Sequence, residues 1–397
     1  MILLLISVLL QSTATTTSAS FLSLQQQQNQ RVVGCHHRHR SNDYSATAAL
    51  FSSSPPSSTS IVGGSSRTTS SISLLKDPAA AGDKHSSLVL SSSSSHHQQQ
   101  QEEQLRQKVR SVNYFISRSC NYKCKFCFHT AKTSHHLALE QAKLGLEMLR
   151  KAGTEKINFA GGEPFLQDQL LGELCKTSHE LGLAVSIISN GSKITQKWME
   201  QYGQFVDVLG VSVDSFNPLT NAAIGRGGDA NNEHISRVLN VQNLCSKFDI
   251  TFKMNTVVCS LNWEEDMNQY VHQLDPKRWK VFQVLILEGE NSGMGGDLRD
   301  ARALQVTDEQ FLSFVHRHRS YQDNGVLIPE PNNVMQNSYL LLDEDMRFLD
   351  CSSGGKVPSD SILKVGVRRA LEQSGFDENM FHERGGIYDW ERDRSQG

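Results

Sequence analysis

Between residues 112 and 287 the chain alternates two textures. Short aliphatic and β-branched runs lie at 112–117, 156–160, 184–189, 206–213, 250–258 and 280–287. Between them, apolar residues recur every three or four positions over 137–151, 167–181, 194–203, 233–248 and 263–274. The first pattern predicts strands and the second amphipathic helices. Breaks fall where expected, at Gly153, Gly161-Gly162, Gly182 and Asn190-Gly191. Strands alternating with helices of this length predict βαβ units around a parallel sheet. Six such strands suit a barrel or partial barrel, in which chemistry collects at the C-terminal ends of the strands.

Neither pattern extends upstream. Residues 11–101 are dominated by Ser, Thr, Gln, His and Ala, with runs such as Gln25–Gln28, Ser91–Ser95 and Gln98–Gln101. Such a stretch cannot bury enough apolar surface to offset its backbone entropy, so 21–104 reads as a disordered linker. Before it, residues 2–10 read ILLLISVLL. That stretch is too short to span a bilayer comfortably but suits a targeting or anchoring segment over 1–20. The expected organisation is therefore 1–20, 21–104, a barrel over 105–330 and a C-terminal extension over 331–397.

Composition agrees with this division. Only 38% of the 397 residues are hydrophobic, a deficit that the upstream segment accounts for. The formal net charge of −3 argues against a general nucleic-acid binder. Eight cysteines are too few for a disulfide scaffold in a chain this long. Cys175, Cys245, Cys259 and Cys351 read as buried free thiols.

Cys35 lies in the low-complexity stretch, and the other three cysteines carry the most specific signal. Cys120, Cys124 and Cys127 form C-x₃-C-x₂-C just after the first strand. Three thiolates on one loop can hold three irons of a cubane cluster and leave the fourth open to a substrate. The competing reading is a zinc site with His129 as fourth ligand.

This loop resembles that of the radical S-adenosylmethionine (SAM) superfamily, and CNYKCKFCFHTAKTS (120–134) resembles the viperin family within it. The likeness continues in order through NFAGGEPF (158–165), SIISNGS (186–192), VSVDSF (211–216), IGRG (224–227), FKMNTVV (252–258), RWKVFQVLILEGEN (278–291), SYLLLDEDMRFLDC (338–351) and SGFDENMF (374–381). It implies an α/β fold, a partial (β/α)6 radical SAM barrel with a C-terminal extension. It also implies a [4Fe-4S] cluster on Cys120, Cys124 and Cys127, with SAM on the open iron. Phe126 would then pack against the adenine, and Gly161, Gly162 and Glu163 would meet the SAM amino group. Ser189 and Asn190 would reach the ribose, and Arg226 would pair with the SAM carboxylate.

The implied substrate is cytidine triphosphate. The radical takes the ribose 4′ hydrogen, the 3′ hydroxyl leaves, and 3′-deoxy-3′,4′-didehydro-CTP forms, with a role in antiviral defence. The residues independently favour an anionic ligand. Lys253 and Asn255 share one face of their strand, and Arg278 and Lys280 share a face opposite Trp279. If both faces point inward, buried cations await an anion. Asn113 and Lys156 add polar inward positions, and Tyr339 is a candidate hydrogen or proton donor near the sugar. Other readings are the same chemistry on another nucleotide such as UTP, or a non-catalytic membrane-tethered interaction protein.

Implied partners are a reductant and cytosolic iron–sulfur delivery proteins. The family ends on a tryptophan after GG-x-Y-x-W, whereas here Trp390 is followed by further residues to Gly397, so delivery would engage differently. A reduced cluster favours a reducing compartment. The expected location is the cytosolic face of the endoplasmic reticulum membrane, with plastid or mitochondrion as the alternative.

Overall fold

The computed structural model describes residues 109–227 and 233–389. The expected targeting segment, the linker and Trp390 lie outside them. Among the described residues no helix is long and apolar enough to cross a membrane.

Ten strands form one sheet: β1 (Ser111–Phe115), β2 (Lys156–Ala160), β3 (Ala184–Ser189), β4 (Val208–Ser212), β5 (Thr251–Val258), β6 (Arg278–Gln283), β7 (Leu327–Glu330), β8 (Leu340–Leu342), β9 (Arg347–Asp350) and β10 (Val357–Ser361). Their order is β10-β9-β8-β1-β2-β3-β4-β5-β6-β7. Strands β1 to β7 run parallel, and β8 joins β1 in the same sense. β9 and β10 turn back antiparallel beyond it. The crossovers carry α1 (Leu139–Ala152), α2 (Asp168–Glu180), α3 (Gln196–Tyr202), α4 (Pro218–Ile224), α5 (Glu233–Lys247) and α6 (Asn268–Leu274).

The two-residue period of each strand sorts the interior into two environments. Val112, Tyr114, Ile157, Phe159, Val185, Ile187, Met254, Trp279 and Val281 belong to the main apolar core. That core also takes in Leu146 and Leu149 of α1 and Leu171 and Leu174 of α2. The alternate positions, Asn113, Lys156, Asn158, Ser186, Lys253, Asn255, Arg278 and Lys280, face the other way. Lys253 lies beside Arg278 and Asn255 beside Lys280 across the β5–β6 ladder.

Two expected elements shift. The sixth strand starts at Arg278 and ends at Gln283 instead of spanning 280–287. Its end is fixed by Gln283, whose side chain donates to Asp308 (2.9 Å) and accepts from the Asn332 N–H (3.0 Å). The helix expected over 263–274 begins only at Asn268. Glu265 is instead drawn inward, accepting from the Ser215 hydroxyl (2.6 Å) and the Phe216 N–H (2.7 Å). Strands β7 to β10 and the short α4 carry too little periodicity to be read in advance.

Candidate active site

The cysteine loop leaves the C-terminal end of β1 and is held from several sides. The Glu163 N–H donates to the Ser119 carbonyl (2.7 Å) and the Gly162 N–H to the Ser117 carbonyl (2.8 Å). Lys125 N–H donates to Ile224 O (2.9 Å), which ties the loop to the end of α4. Gly161 has φ +139°, and a Cβ at Gly162 would lie 2.1 Å from the Ser119 carbonyl oxygen. Both glycines are thus required by close backbone approach as well as by the turn.

Glu163 is the fastener between loops. Its carboxylate accepts from the Ser189 hydroxyl (2.8 Å), the Asn190 N–H (2.7 Å) and the Phe165 N–H (3.1 Å). Burial pushes its carboxyl up to about 7, against these hydrogen bonds. The Ser189 hydroxyl, expected at the SAM ribose, is therefore committed to Glu163 and to the Gly191 N–H (2.9 Å). Asn190 stays beside the loop, donating to Asn121 Oδ1 at 3.0 Å with Cys120 Sγ 4.0 Å away.

Arg226 is buried, and its Nε donates to Asp214 Oδ2 rather than to an open position. Its guanidinium lies 5.9 Å from the centre of the Phe126 ring. Phe126 packs in a small apolar cluster with Tyr122, Cys124, Ile224 and Cys259 at the loop's base.

Cys120, Cys124 and Cys127 are all free thiols. Burial pushes Cys120 up to about 11 and Cys124 up to about 12, with Arg226 pulling the other way. Thiols in such a pocket lose their protons most readily to a metal. The zinc alternative fails on His129. Its Nδ1 is taken up by Lys356 Nζ at 3.0 Å, and its Nε2, without a hydrogen-bond partner among the described residues, stands 3.9 Å from Glu344 Oε2 and is not grouped with the cysteines at one metal position. Among the described residues no group of three or more His, Cys, Asp or Glu is arranged to hold one metal ion. Three sulfurs that each take a different iron need not converge on one point.

A second constellation lies on the polar face of β2, β5 and β6. Lys156, Lys253 and Lys280 are buried and Arg278 is half-buried. The C-terminal extension reaches them. Tyr388 meets Lys156 Nζ through its hydroxyl (2.8 Å) and Arg278 through its ring (4.0 Å). Arg278 also donates to the Gly385 carbonyl (3.0 Å). Arg384 lies over the Tyr339 ring at 3.7 Å and donates to the Ser338 carbonyl.

The expectation that these cations lack protein anions needs correction. Glu330, the last residue of β7, is fully buried and pairs with Lys280. Tyr339 donates to the same carboxylate and accepts from Lys280 (2.9 Å). Burial pushes the Glu330 carboxyl up, but Lys280 and Arg384 outweigh it and hold the group below its ordinary value. Burial pushes Lys156 down to about 7 and Lys253 down to about 8, and Arg278 lowers both further. Burial likewise raises the Tyr339 phenol far above its usual range, which keeps its proton on the oxygen.

Lys280 and Arg384 thus meet the Glu330 carboxylate, which also acts on Lys253 and Arg278, while Asp207 acts on Lys156. Asn113 lies alongside, accepting from Asn158 Nδ2 (2.7 Å) and donating to the Leu340 carbonyl. Asn158 Oδ1, Asn255 Oδ1, Ser186 Oγ and Arg278 Nε have no hydrogen-bond partner among the described residues. Buried polar atoms of that kind fit a polar ligand. Sequence reasoning missed Glu330 and Arg384, which belong to no local pattern, and gave no role to Asn158 and Asp214, which lie inside the NFAGGEPF and VSVDSF motifs. Tyr388 was visible only as part of the GG-x-Y segment.

Residues 114–268 match the family model for the radical SAM superfamily. The chain is 50% identical over 288 residues to the S-adenosylmethionine-dependent nucleotide dehydratase RSAD2 of Oncorhynchus mykiss, covering 71% of this chain and 81% of that protein. It is 36% identical over 291 residues to the S-adenosylmethionine-dependent nucleotide dehydratase of Flammeovirga pacifica, covering 71% of this chain and 96% of that one. Among solved structures, Streptococcus suis SuiB bound to its precursor peptide SuiA superposes with a TM-score of 0.53 at 12% identity. That match covers 79% of this chain and 75% of SuiB and shows the shared fold.

Proposed function

Given that the chain belongs to the SAM-dependent nucleotide dehydratases of the radical SAM superfamily, we propose that its substrate is cytidine triphosphate and its product 3′-deoxy-3′,4′-didehydro-CTP. The enzyme works with SAM and a [4Fe-4S] cluster, and we assign the cluster to Cys120, Cys124 and Cys127. When bound, these groups would supply a 5′-deoxyadenosyl radical able to take the ribose 4′ hydrogen; the 3′ hydroxyl would then leave with a proton as water, and a second electron from the external reductant would complete the 3′,4′ double bond.

The observation that carries the substrate reading is the excess of buried cations. Lys156, Lys253, Arg278, Lys280 and Arg384 lie together there, and the carboxylates acting on them are Glu330 and, at Lys156, Asp207. A triphosphate brings about four negative charges and many acceptor oxygens, which suits such an excess. In this reading Arg278, Arg384, Lys156 and Lys253 bind the phosphates. Lys280 and Glu330 hold Tyr339, whose retained phenolic proton makes it the donor near the sugar. Asn113 and Asn255 orient the nucleoside. Asp214 aims Arg226 beside the cysteine loop, and Glu163 braces the loops that would receive SAM.

The test is anaerobic incubation of reconstituted protein with SAM, dithionite and each of the four nucleoside triphosphates. CTP should give 5′-deoxyadenosine well above the no-nucleotide control, with water lost from the nucleotide. A stronger response to UTP would overturn the base assignment, and no response to any would overturn the substrate class.

The proposed role is antiviral defence. Viral titre should fall in cells expressing the full chain but not its Cys120→Ala variant. We also propose attachment to the cytosolic face of the endoplasmic reticulum through residues 1–20, supported by the apolar run at 2–10. A fluorescent fusion of residues 1–105 found in plastids or mitochondria would refute that placement.

A further inference from the structure

Just past Cys127 the chain enters a second buried ionic cluster that the proposed reaction leaves unused. Its members come from distant parts of the sequence. Arg118 and His129 flank the cysteine loop, Glu290 follows β6, Glu344 lies between β8 and β9, and Lys356 lies between β9 and β10. All are buried, from 1% side-chain exposure for His129 to 12% for Arg118.

The contacts converge on the backbone that leaves Cys127. Lys356 Nζ donates to the Phe128 carbonyl, to His129 Nδ1 (3.0 Å) and to Glu290 Oε1 (3.2 Å). Glu290 accepts from Arg118 (2.9 Å), the Thr130 N–H (2.9 Å) and the Thr130 hydroxyl (2.6 Å). Arg118 Nε reaches Glu344 at 3.0 Å. The Cys127 thiol donates to the His129 carbonyl at 3.3 Å. A lysine can only donate, so His129 Nδ1 is an acceptor and the ring is neutral.

Two buried cations thus face two buried carboxylates, and the more exposed Lys132 adds a third cation 3.9 Å from Glu290. Burial pushes Glu290 up, but Lys356, then Thr130 and Arg118, bring it down to about 2. The Cys127 thiol and the Lys356 ammonium thus bind neighbouring carbonyls of the same turn, those of His129 and Phe128.

We propose that Lys356 is a positioning residue for the iron–sulfur cluster: it fixes the backbone after Cys127 and sets the charge beside that sulfur, so the β9–β10 hairpin tunes the cluster's reduction potential. This rests on the assignment of Cys127 as an iron ligand. Reduction adds one electron to the cluster, and a nearby cation in a low-dielectric pocket favours the reduced form. Removing the Lys356 charge makes the surroundings of the loop more negative, and removing the Glu290 charge makes them more positive.

The experiment is an EPR-monitored redox titration of the anaerobically reconstituted full chain and three variants. Lys356→Met should shift the midpoint potential negative, Glu290→Gln should shift it positive, and Lys356→Arg should stay near the parent value. Unchanged midpoints overturn the proposal, as do shifts of Lys356→Met and Glu290→Gln in the same direction, which a purely structural role would give. If Lys356→Met retains no iron, Glu290→Gln decides alone, a positive shift supporting the proposal and an unchanged midpoint overturning it. A parent chain that binds no [4Fe-4S] cluster overturns the Cys127 assignment itself, which is a separate failure.

Discussion

Lys156 and Lys253 illustrate how a site is built against stability. Each places an ammonium in a barrel interior where burial disfavours the charged form. Lys253 forms no ion pair among the described residues. Its replacement by Met should raise the stability of the nucleotide-free protein by about 1–3 kcal/mol. The same change should shrink the stabilisation given by added CTP, and thermal melts with and without nucleotide check both effects. The pH dependence has a definite sign. With folded values near 7 and 8 against 10.5 for an ordinary lysine, the unfolded chain binds more protons between those limits. These two groups therefore make the nucleotide-free protein more stable as pH rises from about 7 to 10. Triphosphate binding needs the charged forms, so affinity should fall over the same range. Calorimetry in buffers of different ionisation enthalpy should detect proton uptake on binding near pH 8.

At the scale of elements, the parallel strands were legible because each alternates a core residue with a polar one. Phe252, Met254 and Trp279 entered the core while Lys253, Asn255, Arg278 and Lys280 took the opposite face, as the two-residue period requires. The loops were legible as motifs but not as contacts. The Ser189 hydroxyl also binds Glu163, a tie between loops that sequence spacing cannot reveal. Cys351, expected to be buried, is half-buried beyond β9, where the chain turns toward the last hairpin. Gly162 offers the sharpest test at this scale. A methyl group there meets Ser119 backbone rather than a yielding side chain. Gly162→Ala should displace the cysteine loop and lower iron content after reconstitution, while far-ultraviolet circular dichroism stays near the parent spectrum.

Across residues 109–389, the C-terminal extension completes both halves of the site. β8 docks parallel on β1, and the following hairpin carries Lys356 to the cysteine loop. Residues 384–388 reach the cation cage through Arg384, Gly385 and Tyr388. A chain ending at Glu383 should keep its parallel sheet and load iron normally. It should lose most of its nucleotide-dependent thermal shift, because two of the cage's side chains leave with the tail. Melting curves and iron analysis on the truncated protein separate the two effects.

The sequence by itself determined the alternating strands and helices, the cysteine triplet and the polarity of each strand face. These are local properties, fixed by side-chain period and by spacing along one loop. Only the tertiary structure decided which charges meet. Glu330 pairs with Lys280, Asp214 with Arg226, and Glu290 with Lys356, across separations of 50, 12 and 66 residues. Electrostatic energy depends on distance in space and on burial, and neither is encoded in any short stretch of chain.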